Sequence, residues 1–404
     1  MKLLLATNHL GLGGSESYLL TVAEQLDRLG HESAIFSPEP DRGAEVAEER
    51  RIEVIGEAGL AKGYDAALVQ DAGVSFAIAD RCPGLPQLFV AHSAKFDLQA
   101  PPQLPGLVGL VVVLNERVEE RMRSYALEPE IVRLRQPIDT ERFAPRAPLA
   151  ETAESALLLS NTPNDDRLAM LEGACAEAGL ELRQVGGLKG QATDIRPAVA
   201  DAEIVIGYGR SILEAMAMGR AAYVYDWKGG DGWITPDSYP AIEADGFAGS
   251  ADGSIADAGR LAEDLRRYSA SMGPVNLDLV MANHKASEHA QELVGLFRRL
   301  AAPSDRPKAP LQEMARLVRL EWRARADVHS LVHENAHLRG LLTESWQDAT
   351  AAHEEARKNA EEVSRQAAET ARSYESSLSW RVTRPLRALA AVRQRRRPRG
   401  PSTE

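Results

Sequence analysis

The chain opens with an apolar run, Lys2 to Thr7, that breaks off into a glycine-rich turn at Gly11, Gly13 and Gly14. Beyond Ser15 the apolar positions Leu19, Leu20, Val22, Ala23, Leu26 and Leu29 fall three and four residues apart, the spacing of a helix with one buried face. Ser15 reads as the N-cap of that helix, and Gly30 as its stop. Short apolar runs recur at Ser33–Phe36, Ala66–Gln70, Leu88–Ala91 and Leu110–Leu114, separated by polar or helical stretches. Such alternation predicts a parallel sheet flanked by helices. A Pro- and Ala-rich stretch closes this first unit near Pro145. A second series follows: strand Ala156–Ser160, helix Arg167–Ala178, strands Leu180–Val185 and Glu203–Ile206, a helix from about Ser211 to Met218, and strand Ala221–Tyr225. The predicted class is α/β, two Rossmann-like doubly wound domains facing a cleft, where nucleotide-type ligands usually bind.

After a helical stretch at Lys285–Leu300 and a Pro-containing segment, the period changes to seven. One seam reads Val328, Asn335, Leu342, Ala349, Ala356, Val363 and Thr370, and the other Ala324, Leu331, Leu338, Ser345, Ala352, Asn359 and Gln366. No seam position is charged, which predicts a coiled coil, with Asn335 setting register in a homodimer. A single solvated helix is the alternative. The expected organisation is therefore 1–145 and 146–300 for the two Rossmann-like domains, 301–323 for a linker or helix, 324–376 for the coiled coil and 377–404 for a basic tail.

Charge adds a polarity along the chain. The net charge is −12, yet residues 379–404 hold eight arginines against Glu404, so that segment carries +7 and the remainder −19. An acidic body repels nucleic acid, whereas the tail attracts anionic surfaces. Two distant cysteines, Cys82 and Cys175, exclude a disulfide framework. The opening run is too short for a signal-peptide core, and the longest apolar run, Gly106 to Leu114, is half of the roughly 18 residues that span a bilayer. A cytoplasmic protein is expected.

Candidate chemistry gathers at two glycine loops. Gly11-Leu12-Gly13-Gly14-Ser15-Glu16 lies between strand and helix, where backbone N–H groups and the helix dipole can meet a phosphate. Glu16 stands where a dinucleotide fingerprint has its third glycine, although Glu39 could serve such a site as the ribose-binding acid. A tight turn would use the same glycines. The second loop runs Gly207-Tyr208-Gly209-Arg210-Ser211 into Ile212-Leu213-Glu214. Here Ser211 can cap a helix, Arg210 can grip a diphosphate, and Glu214 can accept from ribose hydroxyls. Glu214 could equally be an acid near a helix N-terminus.

These residues resemble a known family. GGSE after the first strand, RQPIDTERF at Arg135–Phe143 and ILEAMAMGRAAYVYD at Ile212–Asp226 are similar, in order and spacing, to motifs of the bacterial glycosyltransferases of family 4. The resemblance covers residues 1 to 300. It implies a GT-B fold, with a nucleotide-sugar donor held mainly by the second domain and a glycan or lipid-linked acceptor by the first. It implies that Glu214 holds the donor ribose, that Gly13 and Gly14 face its phosphates with Gly209, Arg210 and Ser211 nearby, and that His92 contacts the donor sugar at the reaction centre. It also implies transfer with retention. No cofactor and no metal are expected, because no Asp-x-Asp pair occurs in the chain.

The sequence departs from the family pattern at defined places. The earlier of two usual glutamates is Ile206, the linker motif has Gln136-Pro137 where Asn-Gly is usual, and SNTPNDDR stands where an Arg and a Lys usually clamp the diphosphate. Arg210 or Lys189 is left to supply that charge. A catalytically degenerate scaffold and a dinucleotide-dependent oxidoreductase therefore stay open as alternatives. His333-Glu334-Asn335-Ala336-His337 spells a zinc-protease signature, but within the heptads a solvated helix offers no water-excluding cavity. Finally, SLSWRVTRPLR at 377–387 resembles a tail found after coiled coils in bacterial surface-polysaccharide enzymes. Trp380, Val382, Leu386 and Leu389 among arginines suit an anionic membrane surface, with Pro385 interrupting any long helix.

Overall fold

Seven short strands, all parallel, build the first sheet in the order Glu53–Ile55, Glu32–Phe36, Lys2–Ala6, Ala66–Val69, Gln87–Ala91, Leu110–Val113, Glu130–Arg133. The computed structural model describes residues 1–145, 147–160, 165–186, 194–226, 229–251, 258–301 and 308–395. Alternate residues of the first strand feed opposite faces. Leu3 and Leu5 pack with Tyr18, Leu19 and Leu26 of the Gly14–Arg28 helix, while Leu4 and Ala6 pack with Val74 and Ile78 of the Ala72–Arg81 helix. Burial on both faces is why the sequence reads as an unbroken apolar run. Strand order reverses between Lys2–Ala6 and Ala66–Val69, so a crevice opens at their carboxyl ends.

The second sheet runs Glu181–Val185, Ser155–Leu159, Ile204–Gly207, Ala221–Asp226, with Gly229–Trp233 antiparallel at its edge. Its two faces carry separate apolar clusters, one around Ile212, Leu213 and Met216 of the Arg210–Ala217 helix and one around Leu171 and Cys175.

Two assignments need correction. The 146–300 boundary placed all of Lys285–Leu300 in the second domain. In the structure, helix Ala286–Arg299 returns to the first domain and packs Leu293, Val294, Leu296 and Phe297 into its core. The second concerns Pro385. The long helix Leu311–Ser376 stops at Ser377, whose Oγ donates to the Tyr374 carbonyl at 2.7 Å. A further helix, Leu378–Arg395, then runs through Pro385. Proline removes one amide there, and the Arg387 guanidinium lies over the Trp380 ring, 3.4 Å from its centroid, while donating to the Trp380 carbonyl at 2.6 Å.

The chain divides into two compact units at Val328 and His329. In the first, the opening turns of the long helix bury Leu311 and Ala315, and Trp322 meets Phe96 edge-on at 4.9 Å. In the second, the same helix presents Leu331, Leu338, Leu342 and Val363, each more than half exposed. Among the described residues no helix is long and apolar enough to cross a membrane.

Candidate functional site

The crossover between the two Rossmann-like domains is held carbonyl by carbonyl. His289 Nδ1 lies 3.0 Å from the Arg135 carbonyl, and His284 Nδ1 lies 2.8 Å from that of Gln136. Arg210 Nη1 donates to the Pro137 carbonyl at 2.7 Å. A carbonyl only accepts, so each histidine carries its proton on Nδ1. Each Nε2 therefore accepts from a tyrosine hydroxyl, Tyr18 for His289 and Tyr239 for His284, both at 2.9 Å. Burial drives His289 down to about 3 and His284 to about 4, so both rings are neutral. Buried Asp139, at the end of this segment, accepts from Gln25 Nε2 at 3.3 Å and pairs with Arg28 at the same distance. The motif read as a linker signature is thus a fixed joint rather than a loose tether.

On this joint lie two adjoining cavities, of about 310 Å³ and 210 Å³, which share Gly14, Tyr208, Gly209 and Arg210. Gly13, Gly14, Gly209, Arg210, Ser211 and Glu214 all line the larger one, and His92 lines the smaller. All seven sequence-predicted site residues are brought to one region. Apolar Leu159, Val185, Ile195 and Phe143 form part of the larger wall, and Arg50 and Arg142 join its polar lining.

The local chemistry refines several readings. Gly13, not Ser15, caps the first helix, in extended backbone (φ −137°) and without a side-chain cap. Ser15 is the second residue of the helix and donates from Oγ to Glu16 Oε2 at 2.9 Å. Glu16 turns its carboxylate back on its own amide, which leaves the Gly14 and Ser15 amides to a ligand. A Cβ at Gly13 would reach within 2.4 Å of Glu16 Oε2, the far end of a flexible side chain. Likewise Gly209, not Ser211, is the N-cap of the second helix, at φ +63°, while Ser211 Oγ donates back to the Tyr208 carbonyl at 2.9 Å.

Arg210 differs from its sequence reading as a diphosphate grip. Besides Pro137, it donates from Nε to Glu214 at 2.8 Å and from Nη2 to Thr21 at 3.0 Å, so the guanidinium ties the second domain to the first. Glu214 is only 8% exposed; burial pushes its carboxyl up, and Arg210 pulls the other way. Glu39, the imagined ribose acid of a dinucleotide site, pairs instead with Arg323 at 2.7 Å. Lys189 lies outside the described residues.

His92 follows strand Gln87–Ala91 and meets the Tyr18 ring edge-on at 4.9 Å. Burial, with Arg210 and His289 adding repulsion, drives it down to about 3. Its Nε2 is buried without a protein partner, and the Asn8 side-chain amide at the neighbouring switch-point crevice is likewise unpartnered at both atoms. Asp71, beside Asn8, accepts from the Asn8 and Val74 amides at 2.6 and 3.0 Å, and burial lifts it to about 6. Sequence reasoning missed Asn8, Asp71 and the histidine–tyrosine pairs. Asn8 carries a signal, a polar residue two positions past a buried strand; the pairs carry none, since tyrosine and histidine stand up to 271 positions apart.

Compared with protein-family models and with curated proteins, the chain matches none. Solved structures do match. HepE of Anabaena, in complex with UDP and glucose, has a TM-score of 0.54 at 12% identity, covering 74% of this chain and 100% of that one. The pneumococcal O-GlcNAc transferase GtfA, in complex with UDP and GlcNAc, has a TM-score of 0.54 at 10% identity, covering 74% and 99%. The fold is GT-B. A mutant of S. aureus TarM, with UDP among its ligands, has a TM-score of 0.50 at 11% identity, covering 73% and 99%. In GT-B terms, the glycine loops and Glu214 line the interdomain cleft.

Proposed function

We propose that this chain is a glycosyltransferase of the family 4 type, moving a sugar from a nucleotide-sugar donor to a cell-surface polysaccharide or lipid-linked glycan. The observation that carries this reading is the convergence of both glycine loops and buried Glu214 on one interdomain cleft. Similar GT-B structures hold UDP. In this reading Glu214 accepts from the donor ribose, and the amides after Gly13 face its phosphates. Fixed N–H groups there stabilise the charge that develops on the departing nucleoside diphosphate, with no metal required. Neutral His92 directs its Nε2 to the transferred sugar, and transfer proceeds with retention.

Glu214→Ala is expected to weaken donor binding by about 1–3 kcal/mol, the range for a hydrogen bond to a charged group. His92→Ala is expected to lower turnover about a hundredfold, as when one positioned transition-state contact is lost. Calorimetry and initial rates check both; wild-type affinity in the first, or wild-type turnover in the second, removes that residue's role.

The exposed seam of the long helix supports a homodimer through a coiled coil, and the arginine-rich helix supports peripheral attachment at the inner face of the membrane. Deleting residues from Ala324 onward is expected to give a monomer by light scattering that no longer binds anionic vesicles. A dimeric mass, or undiminished vesicle binding, contradicts the corresponding assignment.

A further inference from the structure

The usual Arg and Lys clamp is replaced in this sequence, and Arg210, the nearest substitute, has Nε and both terminal nitrogens engaged by protein. Two other guanidinium groups line the same cavity. Arg50 is the residue after helix Arg42–Glu49 of the first domain, and Arg142 follows the crossover. Both lean on one carboxylate. Arg50 Nη1 donates to Glu24 Oε2 at 3.3 Å, and Arg142 Nη1 stands 3.8 Å from Glu24 Oε1. The Arg50 side chain is 12% exposed, Glu24 16% and Arg142 25%.

These pairs are incomplete. Arg50 Nε is buried without a protein partner. Counting Arg50, Arg142 and Arg210 against Glu24 and Glu214, with Asp194 of the lining paired to Arg196, these seven groups leave one positive charge in excess. A poorly hydrated excess cation calls for an anion, and planar guanidinium forks suit phosphate oxygens. The amides of the first turn after Gly13 open on the same space and favour negative charge as well. Burial already pulls Arg50 below its usual value, with Arg142 and Arg210 pushing the same way; a bound dianion would relieve that repulsion.

We infer that Arg50 and Arg142 grip the diphosphate of a nucleoside diphosphate group in this cleft, and that Glu24 is the internal carboxylate which holds them until the diphosphate displaces it. The inference rests on the donor-site reading above. It places the phosphate clamp on the first domain and the crossover, so that a bound nucleoside diphosphate, with its ribose on Glu214, spans both domains.

The test titrates UDP, GDP and ADP, each alongside its own nucleoside, into the full chain and into Arg50→Gln, Arg142→Gln and Glu24→Gln, with thermal melting as a folding control. Each single arginine variant leaves Glu24 one partner, so no carboxylate is stranded. Arg50→Gln and Arg142→Gln should each weaken the diphosphate about tenfold or more, as for a lost charge-assisted bond, and leave the nucleoside unchanged. Glu24→Gln should do the opposite and tighten the diphosphate several-fold. Equal diphosphate affinity in folded arginine variants, or weaker binding in Glu24→Gln, overturns the clamp while the donor site stands. Failure of all three diphosphates to bind the wild-type chain overturns the donor-site reading itself. If the arginine variants do not fold, the sign of the Glu24→Gln effect decides.

Discussion

Arg210→Met should destabilise the two-domain unit by about 3–5 kcal/mol, the range for removing one member of a buried ion pair. The guanidinium satisfies three groups at once: Glu214, the Pro137 carbonyl and the Thr21 hydroxyl. Methionine fills most of the volume, so the loss is one of charge and hydrogen bonding rather than of packing. Arg and Glu side chains here are 8% and 10% exposed, which leaves an abandoned Glu214 carboxylate with little water. The pair as a unit need not be stabilising. A double change, Arg210→Met with Glu214→Leu, should therefore recover much of the loss, because desolvation of both charges is avoided. Equilibrium denaturation of the four proteins of this cycle measures the coupling, and additive effects would contradict a buried Arg210–Glu214 ion pair.

The second large effect concerns acid. His284 and His289 are buried neutral, at about 4 and about 3, whereas an unfolded chain titrates near the ordinary value of 6.5. Between those limits the unfolded state binds the protons and the folded state does not. Stability is thus intact above pH 6.5 and falls as the pH drops towards 4. Each histidine contributes a slope of about 1.4 kcal/mol per pH unit; His92, at about 3, adds a third such slope and Asp71, lifted to about 6, takes one away, so these four groups together approach 3 kcal/mol per unit. Against a typical total of about 5–15 kcal/mol, the joint between the domains should fail near pH 4 to 5. His289→Asn keeps a donor for the Arg135 carbonyl without a titrating ring, and should flatten the slope by about half. A wild-type stability that is level from pH 7 to 4 would contradict the neutral-histidine description.

How far the sequence reveals this arrangement follows from how local each signal is. Buried parallel strands announce themselves as apolar runs, and the predicted positions in both sheets match within a residue or so. The edge strands Glu53–Ile55, Glu130–Arg133 and Gly229–Trp233 do not: the first two are short and carry charged residues, and Gly-Gly-Asp-Gly-Trp at an antiparallel edge has no apolar alternation. Each cap lies two residues before the serine expected there, because serine is the commoner N-cap, whereas at Gly209 the positive φ favours glycine. The return of Ala286–Arg299 to the first domain was hidden for another reason. Its apolar face is ordinary for an amphipathic helix, and only the tertiary fold shows which core receives it. At the site, motif residues were legible and their partners were not. Arg50, Arg142 and Glu24 carry no motif, and Arg210 reads as a ligand contact until its three protein partners are seen.

The central claim is that the interdomain cleft binds a nucleotide-sugar. It is tested most directly by calorimetric titration of the common UDP-, GDP- and ADP-sugars into the full-length chain without added metal, with NADH as a control. Micromolar binding of one nucleotide-sugar, with no binding of NADH, is the expected result. Silence from every nucleotide-sugar would contradict the claim and favour a degenerate scaffold, and tight binding of NADH alone would favour the oxidoreductase reading.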